Sequence, residues 1–179
     1  MAINFQKGYI FVHIPKTGGT SFYKGGILKP EQEWHLNLED YIKKYEPEWN
    51  ISAFYKFAFV RNPYDRFISG VISQIPEGVE FNEYVRGRFG LKEIQDLSVM
   101  RTQYSFVRRN GQIGVDFVVR YENLEEDWEK VCKRIGIRKK LPHENKSVNR
   151  PKVEDLHPKL KKLIRYHFAE DFDKFGYEI

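Results

Sequence analysis

Residues 9–21 carry the strongest structural signal in this chain and read Tyr-Ile-Phe-Val-His-Ile-Pro-Lys-Thr-Gly-Gly-Thr-Ser. The apolar, β-prone run Tyr9–Ile14 predicts a buried strand, which Pro15 brings to an end. Gly18 and Gly19 then favour a tight turn, because glycine adopts positive φ and lets a ligand approach the main chain. Backbone N–H groups of such a turn and of the next helix can converge on one anion. The stretch therefore predicts a strand, a phosphate-binding loop and a short helix from about Gly19.

The side chains of this loop also suit a phosphate or sulfate group. Lys16 supplies a mobile positive charge, and hydroxyl groups come from Thr17, Thr20 and Ser21. The order differs from the Walker A pattern, in which the lysine follows the glycines and directly precedes a hydroxyl residue. Taken alone, the stretch also fits a Gly-Gly turn beside a surface lysine.

A second apolar stretch, residues 54–60, predicts another buried strand that ends at Arg61. Asn62-Pro63 supplies a favourable N-cap and first helical residue, so a helix should begin directly after this strand. Ser69 lies about two turns into that helix, so its side chain should face a similar direction to that of Arg61. A guanidinium group and a hydroxyl can then share one phosphate. The alternative is a structural arginine that pairs with Asp65.

The two motifs together resemble sulfotransferases. Residues 10–21 (I-F-V-H-I-P-K-T-G-G-T-S) and 57–69 (F-A-F-V-R-N-P-Y-D-R-F-I-S) are similar to the 5′-phosphosulfate loop and the 3′-phosphate motif of that family. The branch is that of the carbohydrate enzymes acting on chondroitin, dermatan and related glycans, "sulfotransferase family 2". Further similar segments are V-V-R-Y-E-N-L (118–124), H-E-N-K-S (143–147) and F-G-Y (175–177).

This resemblance implies transfer of a sulfuryl group from 3′-phosphoadenosine 5′-phosphosulfate (PAPS) to an acceptor, leaving adenosine 3′,5′-bisphosphate (PAP). The implied acceptor is a hydroxyl, in preference to an amine, of a small molecule or glycan, and no metal is required. Lys16 would stabilise the leaving oxygen. The implied donor-binding residues are Lys16, Thr17, Gly18, Gly19, Thr20 and Ser21 for the 5′-phosphosulfate, Arg61 and Ser69 for the 3′-phosphate, and Ser147 and Arg150 as further ligands.

The general base is assigned to His35, since related glycan sulfotransferases carry a histidine or glutamate base in this region. A solvated loop histidine is the alternative interpretation of His35. Glu39 and Asp40 are the next candidates for the base. His13, inside the first predicted strand, is assigned to the core or to the support of the site.

A third strand is predicted from Gly114 to Arg120, and a last helix from Pro158 should carry one apolar stripe that reaches Phe172. The alternation of strands and helices predicts an α/β fold in one domain, residues 1–179. We expect a P-loop-like, three-layer arrangement with a mainly parallel central sheet flanked by helices. In such sheets ligands bind at the carboxyl ends of the strands, where both phosphate motifs lie in the sequence.

Composition limits the other possibilities. The net charge of +5 and the pI of about 9.1 favour anionic ligands. The basic residues are scattered without a groove-reading or base-stacking motif, so we expect no nucleic-acid partner. A single cysteine, Cys132, and the lack of a signal or membrane-spanning segment predict a cytoplasmic protein with no membrane span. The best-known relatives are instead anchored in the Golgi.

Two other classes of protein stay open. A nucleotide kinase or NTPase with a degenerate phosphate loop would need magnesium and a carboxylate at a strand end, where Glu122 is the candidate. A non-catalytic module could retain the nucleotide pocket for binding alone.

Overall fold

The apolar stretch at residues 9–12 forms an inner strand of a four-stranded sheet. The computed structural model describes residues 3–24, 35–86, 88, 98–141 and 150–178, without the side chains of Thr20, Lys24 and Ser98. Over these residues the chain divides into two compact units, one of residues 1–60 and 103–145 and the other of residues 61–102 and 146–179. The prediction of one domain over residues 1–179 stays a prediction.

The sheet belongs to the first unit and is mixed. Its strands are β1 (Ile3–Asn4), β2 (Tyr9–Val12), β3 (Tyr55–Val60) and β6 (Phe117–Arg120), in the order β1-β2-β3-β6. The last three are parallel, with Phe11 opposite Phe57 and Val60 opposite Arg120, whereas β1 is antiparallel to β2. The α/β class and the mainly parallel sheet flanked by helices are therefore confirmed. The P-loop-like, three-layer arrangement stays a prediction.

Aromatic side chains fill one face of this sheet. Phe11, Phe57 and Phe59 lie on neighbouring strands and are fully buried. The ring of Phe22, from helix α1 (Gly19–Lys24), lies 4.4 Å from that of Phe11 and 5.2 Å from that of Trp128. Burial of each such ring stabilises the fold by about 1.5–3 kcal/mol. This cluster fixes the helix that begins in the glycine turn.

The remaining elements of the first unit follow local sequence rules. Helix α2 (Leu38–Tyr45) begins where the Asn37 side chain accepts the Asp40 N–H. Next come α5 (Tyr104–Val107) and a hairpin of β4 (Arg108–Arg109) and β5 (Gln112–Ile113), turned by Asn110-Gly111 with φ values of 52° and 76°. Helix α6 (Leu124–Ile135) ends at a left-handed Gly136.

The second unit is helical in its described part. Helix α3 (Pro63–Val71) begins as predicted, with the Asn62 side chain accepting the Tyr64 N–H at 3.0 Å. It is followed by α4 (Phe81–Val85), α7 (Pro158–His167) and α8 (Ala169–Phe175), with short 3-10 turns at Ile72–Gln74, Ser98–Met100 and Val153–Asp155. Arg66 is buried, donates to the Arg101 carbonyl at 2.9 Å, and has its pKa lowered to about 10 by burial.

Two details of the sequence-based prediction are wrong. One apolar stripe was expected from Pro158 to Phe172, but α7 ends at His167, a second helix begins at Ala169, and Leu163 is 45% exposed. The third strand begins at Phe117, later than the predicted Gly114, because the Gly114 N–H bonds the Val107 carbonyl instead of a neighbouring strand. Within the described residues, no helix has both the length and the apolar character needed to cross a bilayer.

Candidate functional site

The predicted donor-binding residues of the first unit, residues 16–21, lie in the loop between β2 and α1 and in the first turn of α1. Lys16 is exposed and has a left-handed backbone, with φ of 67°. The buried Thr17 hydroxyl donates to the Ile14 carbonyl at 2.9 Å, and the Ser21 N–H donates to the Gly18 carbonyl at 3.0 Å. These two hydrogen bonds close the turn from within. The Lys16 side chain instead lies at the surface of the loop.

Both glycines of the loop are required by their surroundings. Gly18 has φ of 96°, and a Cβ there would lie 3.1 Å from the ring of Tyr121. A Cβ at Gly19 would overlap the imidazole of His13. Since the first position demands a positive φ and the second a missing side chain, other residues would displace the backbone of the loop.

His13 directly follows β2 and packs beneath the loop. Only 7% of its surface is exposed, and burial, together with the charge of His35, lowers the pKa of His13 to about 3. Its ring centroid lies 5.3 Å from that of Tyr23, whose pKa is raised to about 12 by burial. His13 is therefore neutral at physiological pH. Its apolar strand context in the sequence pointed to burial but not to its contact with Gly19.

His35, the predicted base, lies against His13. The two imidazole centroids are 4.9 Å apart, and His35 Nδ1 is 3.4 Å from the His13 carbonyl oxygen. The alternative bases, Glu39 and Asp40, are half-buried in the first turn of α2. His35 is half-buried rather than a fully solvated loop residue.

Positive φ values occur at both residues that are predicted to be catalytic, Lys16 and His35. Over the described part of the chain, the non-glycine residues with positive φ are Lys16, His35 (φ 68°) and Asn110. Asn110 is explained by its hairpin turn, which requires this conformation. Where no turn requires it, a positive φ at a non-glycine residue is a strained conformation. Such strain commonly occurs at functional sites, where the surrounding structure maintains it. Two of the three residues are the ones predicted to be catalytic.

The second unit holds the predicted 3′-phosphate residues Arg61 and Ser69, and also Arg150. Arg61 directly follows β3 in the chain and is 7% exposed. Arg150 forms an ion pair with Asp65, and its pKa is lowered by burial and further by the charge of Arg61. Ser69 stands four residues after Asp65 in α3, so the two share one side of the helix. The sequence suggested Asp65 as a partner of Arg61, whereas in the structure Asp65 pairs with Arg150.

Some predicted ligands cannot be placed. The side chain of Thr20 and the whole of Ser147 lie outside the described residues. Among the residues that are described, no group of three or more His, Cys, Asp or Glu side chains is arranged to hold a metal ion.

Comparison with known proteins agrees with the motifs. A sequence model of the sulfotransferase family matches residues 1–178, nearly the whole chain. This chain therefore belongs to the sulfotransferase family. An uncharacterized protein of Archaeoglobus fulgidus is 36% identical over 85 residues, which cover 48% of this chain and 70% of that relative. No solved structure matches significantly.

Proposed function

We propose that this chain transfers a sulfuryl group from PAPS to the hydroxyl of an acceptor and releases PAP. Membership of the sulfotransferase family supports the type of reaction. The acceptor is proposed to be a small molecule or glycan, in keeping with the carbohydrate branch that the motifs resemble. The proposed reaction uses no metal, as the resemblance implies.

The loop of the first unit is proposed to hold the 5′-phosphosulfate. Its left-handed Lys16 and Gly18 shape a turn that leads directly into α1. The exposed Lys16 ammonium suits an anionic ligand. Gly19 allows the imidazole of His13 to pack against the start of α1, where a Cβ would overlap it. The hydroxyl groups of Thr20 and Ser21 are assigned to the same ligand, whereas the buried Thr17 hydroxyl, predicted as a third donor, donates to the Ile14 carbonyl and holds the turn.

The observation that carries the choice of PAPS is the pair of guanidinium groups in the second unit. Burial and then the charge of the nearby Arg61 lower the pKa of Arg150, which also forms an ion pair with Asp65. A bound phosphate would offset the repulsion between the two guanidinium groups through charge-assisted hydrogen bonds. PAPS differs from adenosine 5′-phosphosulfate by its 3′-phosphate. Arg61, Arg150 and Ser69, with Ser147, are therefore proposed to bind that group.

Sulfuryl transfer is proposed to occur in one step. The acceptor oxygen forms a bond to sulfur as the bond from sulfur to the bridging phosphate oxygen breaks. The acceptor proton passes to His35, with Glu39 and Asp40 as the alternatives. Negative charge grows on the bridging oxygen, which remains on PAP, and Lys16 stabilises it.

A thermal-shift experiment tests the donor assignment, because a ligand that binds only the folded state raises its stability. PAP without metal should stabilise the protein. Arg61→Ala should weaken PAP binding by about 1.5–3 kcal/mol, or about 10- to 150-fold, the range for a lost charge-assisted pair. Binding of adenosine 5′-phosphosulfate should hardly change. Arg108→Ala, which removes an exposed arginine of the hairpin, is the matched control.

Three outcomes would contradict the proposal. Stabilisation by ATP with magnesium, without stabilisation by PAP, would indicate the kinase or NTPase. Equal loss of both ligands in Arg61→Ala would make that residue structural. Binding of PAP without transfer of labelled sulfate to any of a panel of sugars, phenols, lipids and small alcohols would favour the non-catalytic module.

A further inference from the structure

His13 and His35 lie against each other in the described part of the first unit. Nδ1 of His35 faces the main-chain carbonyl oxygen of His13 at 3.4 Å. A carbonyl oxygen only accepts hydrogen bonds, so this contact is favourable when Nδ1 carries the hydrogen. In a neutral imidazole the lone pair then belongs to Nε2.

We propose that His13 is a positioning residue, whose carbonyl selects the Nδ1–H tautomer of His35 and so makes Nε2 the atom that takes the acceptor proton. This inference rests on the proposed sulfuryl transfer and deepens it. As the acceptor oxygen bonds to sulfur, its proton passes to Nε2 and the bond to the leaving oxygen breaks. The resulting imidazolium keeps Nδ1–H bonded to the carbonyl and later returns one proton to solvent.

The His13 ring supports this arrangement from below. One side of it occupies the space left by Gly19, and its centroid lies 4.9 Å from that of His35 and 5.7 Å from that of Phe11. Because the ring is packed among these groups, it limits how the neighbouring imidazole can rotate. The same residue therefore contacts both the start of the donor loop and the base.

The neutrality of His13 has a chemical consequence. A positive charge 4.9 Å from His35 would oppose its protonation and weaken it as a base. Burial lowers the pKa of His13 to about 3, so that charge is not formed at neutral pH. A histidine that stays neutral provides ring packing and a carbonyl acceptor without repelling the proton that His35 must take up.

Nuclear magnetic resonance tests the tautomer directly and without any assay of activity. The full chain, labelled with ¹⁵N in histidine, would give long-range ¹H–¹⁵N spectra at pH 7.5, with His35 assigned through backbone connectivity and by loss of its signals in His35→Asn. We expect the Nδ1–H form of His35. Asparagine suits this position because it tolerates the left-handed backbone. A predominant Nε2–H form would overturn the proposal.

A pair of substitutions tests which nitrogen takes part in the reaction. His35→Asn retains an amide near the position of Nδ1, whereas His35→Gln places one near the position of Nε2. Both should lower kcat about 100- to 10,000-fold, the usual contribution of a general base, with PAP affinity unchanged. Activity close to normal in His35→Asn would show that only the Nδ1 contact matters and would overturn the assignment of Nε2.

A variant of His13 tests whether its ring positions His35 or only stabilises the fold. His13→Ala keeps the carbonyl but removes the ring, so we expect a mixture of His35 tautomers and at least a tenfold lower kcat. Unchanged His35 signals and kcat would refute the role of the ring. An Nε2–H form in a protein that binds PAP and transfers sulfate would refute only this inference. Failure to bind PAP would instead refute the proposed function, whatever the tautomer.

Discussion

The buried His13 should make the stability of this protein fall as the pH is lowered. Burial lowers the pKa of His13 to about 3, against about 6.5 for a histidine in an unfolded chain. Between these two values the unfolded state binds a proton that the folded state does not, so acid favours unfolding. From pH 7 to pH 5, this one group should remove about 2 kcal/mol from the free energy of unfolding.

Urea denaturation at pH 7, 6 and 5 measures this effect. Other ionisable groups also contribute, so the informative quantity is the difference between the wild type and His13→Gln, which cannot titrate. The variant should lose about 2 kcal/mol less than the wild type over this range. Phe11→Leu is the matched control, because it loosens the same ring cluster and retains the imidazole. An equal pH dependence of wild type and His13→Gln would refute the reasoning, since His13 would then be protonated in the folded state.

Three further substitutions follow from close contacts and backbone geometry. Gly19→Ala should abolish PAP binding in a thermal-shift assay, because its Cβ would overlap His13; unchanged binding would show that the loop adapts. Gly70→Ala should destabilise the protein by about 1–3 kcal/mol in urea through overlap with Val99, and Val99→Ala should restore part of the loss, whereas no rescue would place the strain elsewhere. Lys16→Gly should be about 0.5–1 kcal/mol more stable than Lys16→Ala, with kcat equally low in both.

Local sequence rules account for much of the fold. The start of α3 at Asn62-Pro63 and the end of α6 at Gly136 depend on a few neighbouring residues, so the sequence predicts them well. The edge strand Ile3–Asn4 has too few residues for a periodic pattern and exists through its pairing with β2. The break at Phe168 likewise interrupts an apolar stripe that continues in the sequence. Such features depend on tertiary contacts that no local rule contains.

In the candidate site, too, features set by neighbouring residues were predictable and long-range contacts were not. The glycine turn was predictable, because the Gly18-Gly19 pair favours a positive φ, which Gly18 adopts. The packing of His13 against His35 was not, since it joins residues from separate segments of the chain. The pairing of Asp65 with Arg150 is equally long-range. Residue types therefore nominate the groups of the candidate site, while the contacts between these groups required the structure.

The backbone of Lys16 allows its two roles, in the turn and in the reaction, to be measured separately. A left-handed conformation costs an L-residue about 1–2 kcal/mol, and glycine avoids this cost while losing about 0.4–1 kcal/mol through its greater freedom in the unfolded state. Lys16→Gly should therefore be the more stable of the two variants, although both lack the ammonium group. If Lys16 acts mainly on charge that grows during sulfuryl transfer, both variants should lose far more kcat than donor affinity. Recovery of turnover in Lys16→Gly would mean that the conformation of the turn, and not the charge of Lys16, supports the reaction.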